Sequence, residues 1–331
     1  MIKKLAMLLY LMITTILYSS CSKQPPEAPF FPTSPYIICS WGEYGTGNGQ
    51  FHDVHGLVLD DYGNVYAVDS NDRVQKFDGN GNYILQWGSA GSGNGQFDYA
   101  RSIGAGINGY IYVVDQNNNR IQIFDSTGVY LSQFGQLTWM QAYTGGIQGL
   151  AQGTFFQPHG MAVDPAGNVF VTDNVSENSN YRIQKFDSYG NYITKWPILD
   201  SNGLKDSPIG LAADSHGNIY VSDWNHNRIQ KYNNSGVFIT QWGSTGTTDG
   251  QFNNPTRMTV DNNDNVFVID EGNHRVQKFD SDGNYLSKWG GSSQGNRPLY
   301  NCHGIAVDDQ GVIYLTGDFG SNGKEIHKFV E

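Results

Sequence analysis

From residue 49 onward, short apolar stretches alternate with clusters of Asp, Gly and Asn, and the alternation keeps returning. In GLVLD (56–60), NVYAVD (64–69), RVQKFD (73–78) and NYILQW (82–87), apolar and polar positions alternate or run briefly apolar. Each stretch is too short and too β-branched for a helix and fits a strand. The intervening DDYGN (60–64) and DGNGN (78–82) supply residues that tolerate positive φ in tight turns. Four strands joined this way form an antiparallel meander.

The unit then recurs. Copies open at Gly49, Gly95, Gly153, Gly203 and Gly250, and a sixth, LYNCHGIAVDD, opens at Leu299. Asp69, Asp115, Asp173, Asp223 and Asp270 mark one point of successive copies and stand 46 to 58 residues apart, the period of propeller blades. The sequence therefore predicts an all-β fold, a six-bladed β-propeller of four-stranded blades. The sixth copy ends at KFVE without a fourth strand, and YIICSWG (36–42), which looks like NYILQWG (82–88), is expected to supply it. Closing the ring with strands from both ends removes two exposed edges.

Segments such as GMAVD (160–164), NVFVTD (168–173) and NHRVQKF (273–279) resemble the NHL repeat, and the resemblance extends over about residues 36 to 331. It implies the propeller fold. It does not by itself imply one function, because such propellers serve as enzymes, sensors and binding platforms.

Composition narrows the classes. Gly is 41 of 331 residues, and Tyr (20) and Phe (17) are abundant, which suits many strands and tight turns. With 20 Lys+Arg against 31 Asp+Glu the net charge is -11, the wrong sign for a chain that binds nucleic acid by neutralising phosphates. A monomer with no nucleic-acid partner is expected.

The first 21 residues have their own pattern: a basic MIKK, an apolar run LAMLLYLMITTILY (5–18), then SSC. The run is too short to span a bilayer and predicts a signal peptide. Ser19 and Ser20 before Cys21 resemble the bacterial lipobox, with Tyr18 in place of the usual aliphatic residue. The resemblance implies lipidation of Cys21 and an exported protein anchored in the cell envelope, at the outer membrane or cell surface. Residues 22–35 hold five prolines and are expected to act as an extended tether, leaving 36–331 for the propeller.

Every other connection of a meander falls at the same end, so the Asp-Gly-Asn turns share one face of the ring. The loops between second and third strands share the other with the connections between blades, and function is expected on this loop-rich face. Residues present in nearly every blade answer a need of every blade. Asp69 with Arg73, Asp115 with Arg120, Asp173 with Arg182, Asp223 with Arg228 and Asp270 with Arg275 are expected to be ties that order these loops, the competing reading being a charged ring that binds a ligand. Gly317 and Glu325 replace the pair in the sixth unit. Trp41, Trp87, Phe134, Trp196, Trp242 and Trp289 are expected to pack between blades.

Residues that differ between blades are the candidates for chemistry. His55, Arg101, His159, Ile209, Thr256 and His303 begin the six innermost strands, at the mouth of the central channel, with Arg257 next to Thr256. His159 in QPHGMAV is similar to the metal-holding position of the peptidyl-hydroxyglycine amidating lyases, which hold zinc in the channel with three His. Carried over, the resemblance implies a zinc site of His55, His159 and His303, drawn from units one, three and six rather than from alternate blades. DNNDN (261–265) and DSDGN (280–284) offer oxygen ligands for calcium but lack EF-hand spacing. No cofactor is expected, with zinc or calcium as the metals to consider.

The connection QLTWMQAYTGGIQGLAQG (136–153) is the longest, and its Trp139, Met140 and Tyr143 are candidate anchors for a partner. After Cys21 only Cys39 and Cys302 remain, and both are expected to be free thiols. The leading expectation is a non-catalytic binding module that presents its loop-rich face to a protein, peptide or carbohydrate. The alternative is a metal-dependent lyase or hydrolase at the channel mouth.

Overall fold

The computed structural model describes residues 36–136, 151–174, 181–198, 208–291, 299–317 and 325–330. In them six separate four-stranded antiparallel sheets stand around a channel. Blade one comprises Val54–Leu59, Val65–Asp69, Arg73–Phe77 and Tyr83–Trp87, from the channel outward. Blade two begins with Ala100–Ala105, blade three with Met161–Val163, blade four with Pro208–Ala213, blade five with Pro255–Val260 and blade six with Ile305–Val307.

Burial explains the sequence pattern strand by strand. Val65–Asp69 and Arg73–Phe77 are buried along their whole length, because both faces of a middle strand meet neighbouring blades, so they need not alternate. The outermost Tyr83–Trp87 shows one face to solvent and alternates between exposed and half-buried. Its apolar cores lie between blades, as in the cluster joining Tyr66 and Val68 of blade one to Ile103 and Ile111 of blade two.

The sixth blade is closed by the N-terminal strand. Tyr36–Trp41 pairs antiparallel with Glu325–Val330, with Tyr36 opposite Val330 and Trp41 opposite Ile326. Trp41 then does for the last seam what Trp87 does for the first. Gly81 (φ 82) and Gly128 (φ 84) lie under these rings, where an added Cβ would stand 2.5 Å from Trp41 and 2.7 Å from Trp87. Lys328 also donates from Nζ to Gly79 O at 3.0 Å across the closing seam.

A second tie repeats at the loop face. Asp72 Oδ1 accepts from Tyr99 N at 2.8 Å, Asn119 Oδ1 from Gln157 N at 2.7 Å and Asn227 Oδ1 from Asn254 N at 2.6 Å. Each loop thus holds the start of the next blade.

Cys302 is buried and takes part in no disulfide. Cys39 is disulfide-bonded, which corrects the expectation of two free thiols. That expectation weighed only a bond between these two positions, and Cys302 takes part in none. The signal peptide, Cys21, the proline-rich segment and the candidate anchors Trp139, Met140 and Tyr143 lie outside the described residues.

Candidate ligand site at the channel mouth

The five Asp–Arg pairs all meet, at 3.2 Å for Asp69–Arg73, 2.6 Å for Asp115–Arg120, 3.0 Å for Asp173–Arg182, 2.9 Å for Asp223–Arg228 and 2.7 Å for Asp270–Arg275. The guanidinium groups reach onward to carbonyls of the incoming connection, as Arg120 Nη2 does to Gly93 O and Gln96 O. Both partners are buried and turned away from solvent, so the pairs hold the loop and the connection together. Gln75, Gln122, Gln184 and Gln277 assist in blades one, two, three and five: Gln122 accepts from Gly95 N and donates to Gln96 O.

The residues that vary between blades gather at the mouth. His55 sits with Nδ1 3.2 Å from Ala100 O and Nε2 3.2 Å from Ser70 Oγ. Its ring lies 5.0 Å from Tyr99 and 6.5 Å from His303. Arg101 stacks over Tyr99, donates from Nη1 to the Tyr99 hydroxyl at 2.8 Å, and donates from Nε to His159 Nε2 at 3.1 Å. His159 Nδ1 lies 3.2 Å from Ile209 O. An imidazole that accepts at one nitrogen and faces a carbonyl at the other is neutral with its proton on Nδ1. Burial, and then the charges of Arg257 and Arg101, hold it well below the ordinary histidine range.

His303 has the opposite environment. Asp53 stands 3.5 Å from its Nδ1 and Glu271 3.6 Å from its Nε2, and these carboxylates push its pKa up to about 9. Because an unfolded histidine titrates near 6.5, the bridge contributes stability that is fully present below about pH 6.5 and is lost as pH rises through about 9. An NMR titration of the His303 ring is expected to give a midpoint near 9; a midpoint at or below that of a model histidine would refute the bridge.

Arg257 closes the mouth. At its position the other blades carry Gly56, Ser102, Gly160, Gly210 and Gly304, because a side chain there crowds the next inner strand: a Cβ on Gly160 would lie 2.7 Å from Ile209 O. The Arg257 side chain instead crosses the bore. It donates to Ile209 O at 3.1 Å, to Arg101 O at 3.0 Å and, at 3.5 Å, to Ser102 Oγ and His159 O. Burial, then the neighbouring Arg101 charge, lowers its pKa to about 9. Below it the channel is a cavity of about 210 Å³ lined by Leu57, Ile103, Met161, Leu211, Met258 and Ile305, continuing to the turn face beside Asp61, Asp164 and Asp214.

His55, Arg101, His159, Arg257 and His303 are thus brought together. Thr256 contributes its carbonyl, which accepts from Ser222 Oγ, and a buried hydroxyl with no hydrogen-bond partner. The three imidazoles do not converge on one point. Among the described residues the group of three ligating side chains with donor atoms within 4.8 Å of one another is Asp214, His216 and Asp264, on the turn face and including part of DNNDN. Asp53, Tyr99 and Glu271 are not among the residues singled out from the sequence. Asp53 and Tyr99 stand two residues before His55 and Arg101. At that offset Tyr99, Gln157, Asn254 and Asn301, but not Asp53, have positive φ, strained for non-glycine residues and a mark of candidate sites.

The chain matches the NHL repeat over residues 155–186, 206–232 and 252–279. It is similar to Protein brain tumor of Drosophila melanogaster, 25% identical over 203 residues, which is 61% of this chain but only 13% of that protein's length. Among solved structures it is similar to a gluconolactonase from Xanthomonas campestris (TM-score 0.60, 14% identity, 86% of this chain and 88% of that one). It is also similar to an auxiliary nutrient binding protein from Bacteroides thetaiotaomicron (TM-score 0.58, 14% identity, 85% and 70%). At these identities the solved structures speak for the fold, which hosts enzymes and binding proteins alike. The chain carries NHL repeats set in a six-bladed β-propeller.

Proposed function

We propose that the chain is a non-catalytic binding propeller, exported and held at the bacterial envelope, that takes its ligand on the loop-rich face. The observation that supports this reading best is how fully the mouth is engaged. His55 and His159 have both ring nitrogens in contact with protein partners, and His303 is held between two carboxylates. None stands free as a general base, and a protonated His303 is a poor metal ligand. Tyr99, Trp224 and Tyr300 are exposed on this face, side chains suited to a peptide, protein or carbohydrate surface.

The test probes the immobilised protein against peptide and glycan arrays, beside Tyr99→Ala on the loop face and Tyr62→Ala on the turn face. Saturable binding that is lost in Tyr99→Ala and kept in Tyr62→Ala is expected, with no stoichiometric zinc before or after zinc addition. One equivalent of zinc that disappears in His159→Ala would overturn the reading in favour of a metal-dependent lyase or hydrolase.

A further inference from the structure

Seven arginines fall among the described residues, and five are paired with a buried Asp. The other two, Arg101 and Arg257, lie together at the channel mouth, and among the described residues neither contacts a carboxylate. Arg257 is buried and its donors are met by carbonyls and a hydroxyl, which satisfy hydrogen bonds without neutralising charge. A buried cation lacking a counter-ion is unfavourable, and a second guanidinium beside it adds repulsion. This arrangement is stabilised when an anion arrives from outside.

The donors for such an anion are already aimed. Arg101 uses Nε on His159 and Nη1 on Tyr99, which leaves Nη2 without a protein partner among the described residues. The Tyr99 oxygen accepts from Arg101, so its own proton is available to donate outward, and the side chain is 41% exposed. The backbone holding it is fixed in the left-handed region at φ 63 by the Asp72 carboxylate. We propose that the mouth binds a carboxylate group of the ligand between Arg101 and Tyr99, over the buried charge of Arg257. The inference deepens the binding reading and rests on it. It specifies a singly charged carboxylate rather than a phosphate, because Asp53 and Glu271 together outweigh the one positive charge of His303 beside them and the whole chain is strongly acidic.

Acetate, inorganic phosphate and acetamide are the probes, titrated into the isotope-labelled full chain while the Arg101 side-chain Nε–H and Tyr99 amide resonances are followed. Acetate is expected to shift both resonances saturably, phosphate more weakly and acetamide not at all. Arg101→Gln removes a charge-assisted bond and is expected to weaken acetate binding about tenfold or more. Tyr99→Phe keeps the ring and weakens binding less, and unchanged resonances of the turn-face glycines verify that both variants fold. Absence of saturation, phosphate binding as tight as acetate, or acetate binding unchanged in Arg101→Gln would each overturn the inference. Array binding on the loop face without acetate binding would sink this inference alone; loss of both would sink the binding reading with it.

Discussion

Trp41→Ala is expected to destabilise the propeller by about 3–5 kcal/mol, the range for deleting a buried aromatic from a packed core. Trp41 is 2% exposed, and its ring meets Phe77 of blade one at 6.1 Å and Tyr314 of blade six at 6.2 Å. It therefore belongs to two blades at once. The chain runs on from Trp41 into blade one as it does at the other seams, but inside blade six Tyr36–Trp41 is joined to Glu325–Val330 by strand pairing alone, so losing the ring weakens closure as well as packing. Urea denaturation should register the loss, and hydrogen exchange should quicken first in Tyr36–Trp41 and Glu325–Val330. A change below about 1 kcal/mol, no more than an average substitution, would mean that this strand is not part of the closure.

Asp115→Ala is expected to cost about as much, for a different reason. It strands the guanidinium of Arg120, 2% exposed and 2.6 Å from the carboxylate, and breaking one side of a buried pair typically costs about 3–5 kcal/mol. Asp115 also accepts from Asp98 N, Asn118 Nδ2 and Gln122 Nε2, so the loop, the connection and the third strand lose a common acceptor. Arg120→Ala should cost a similar amount, and the double variant clearly less than the sum of the two, because the groups act as a unit. This decides between the two readings of the repeated pairs. Stability that falls with ligand binding intact in the folded fraction marks a structural tie; full stability with lost binding would make the pairs a ligand-binding ring.

Much of the fold was legible because each blade restates it. Asp69 and Arg73 predicted a contact that local spacing nearly guarantees, and the likeness of YIICSWG to the later strand ends revealed the closing strand without any structure. The site was less legible because it is made across blades. Arg257 donates to a carbonyl 156 residues away in sequence, and no local pattern encodes that reach. The clue was an Arg in a column otherwise made of Gly and one Ser. His303 read as one of three equivalent histidines until Asp53 and Glu271, from two other blades, were seen flanking it; by charge it is the opposite of His159. The long connection at 136–153 drew attention in the sequence, whereas Tyr99, in an ordinary connection, proved to stand at the mouth.

The direction of the closing strand carries a consequence for orientation. Its register sets Tyr36 beside Val330 and Trp41 beside Ile326, so Tyr36 occupies the edge where the other blades make their Asp-Gly-Asn turns. The polypeptide thus enters the ring from the turn side. An anchor upstream of Tyr36 would hold the propeller like a dish on its stem, with the arginine-bearing mouth turned outward from the bilayer toward whatever diffuses past.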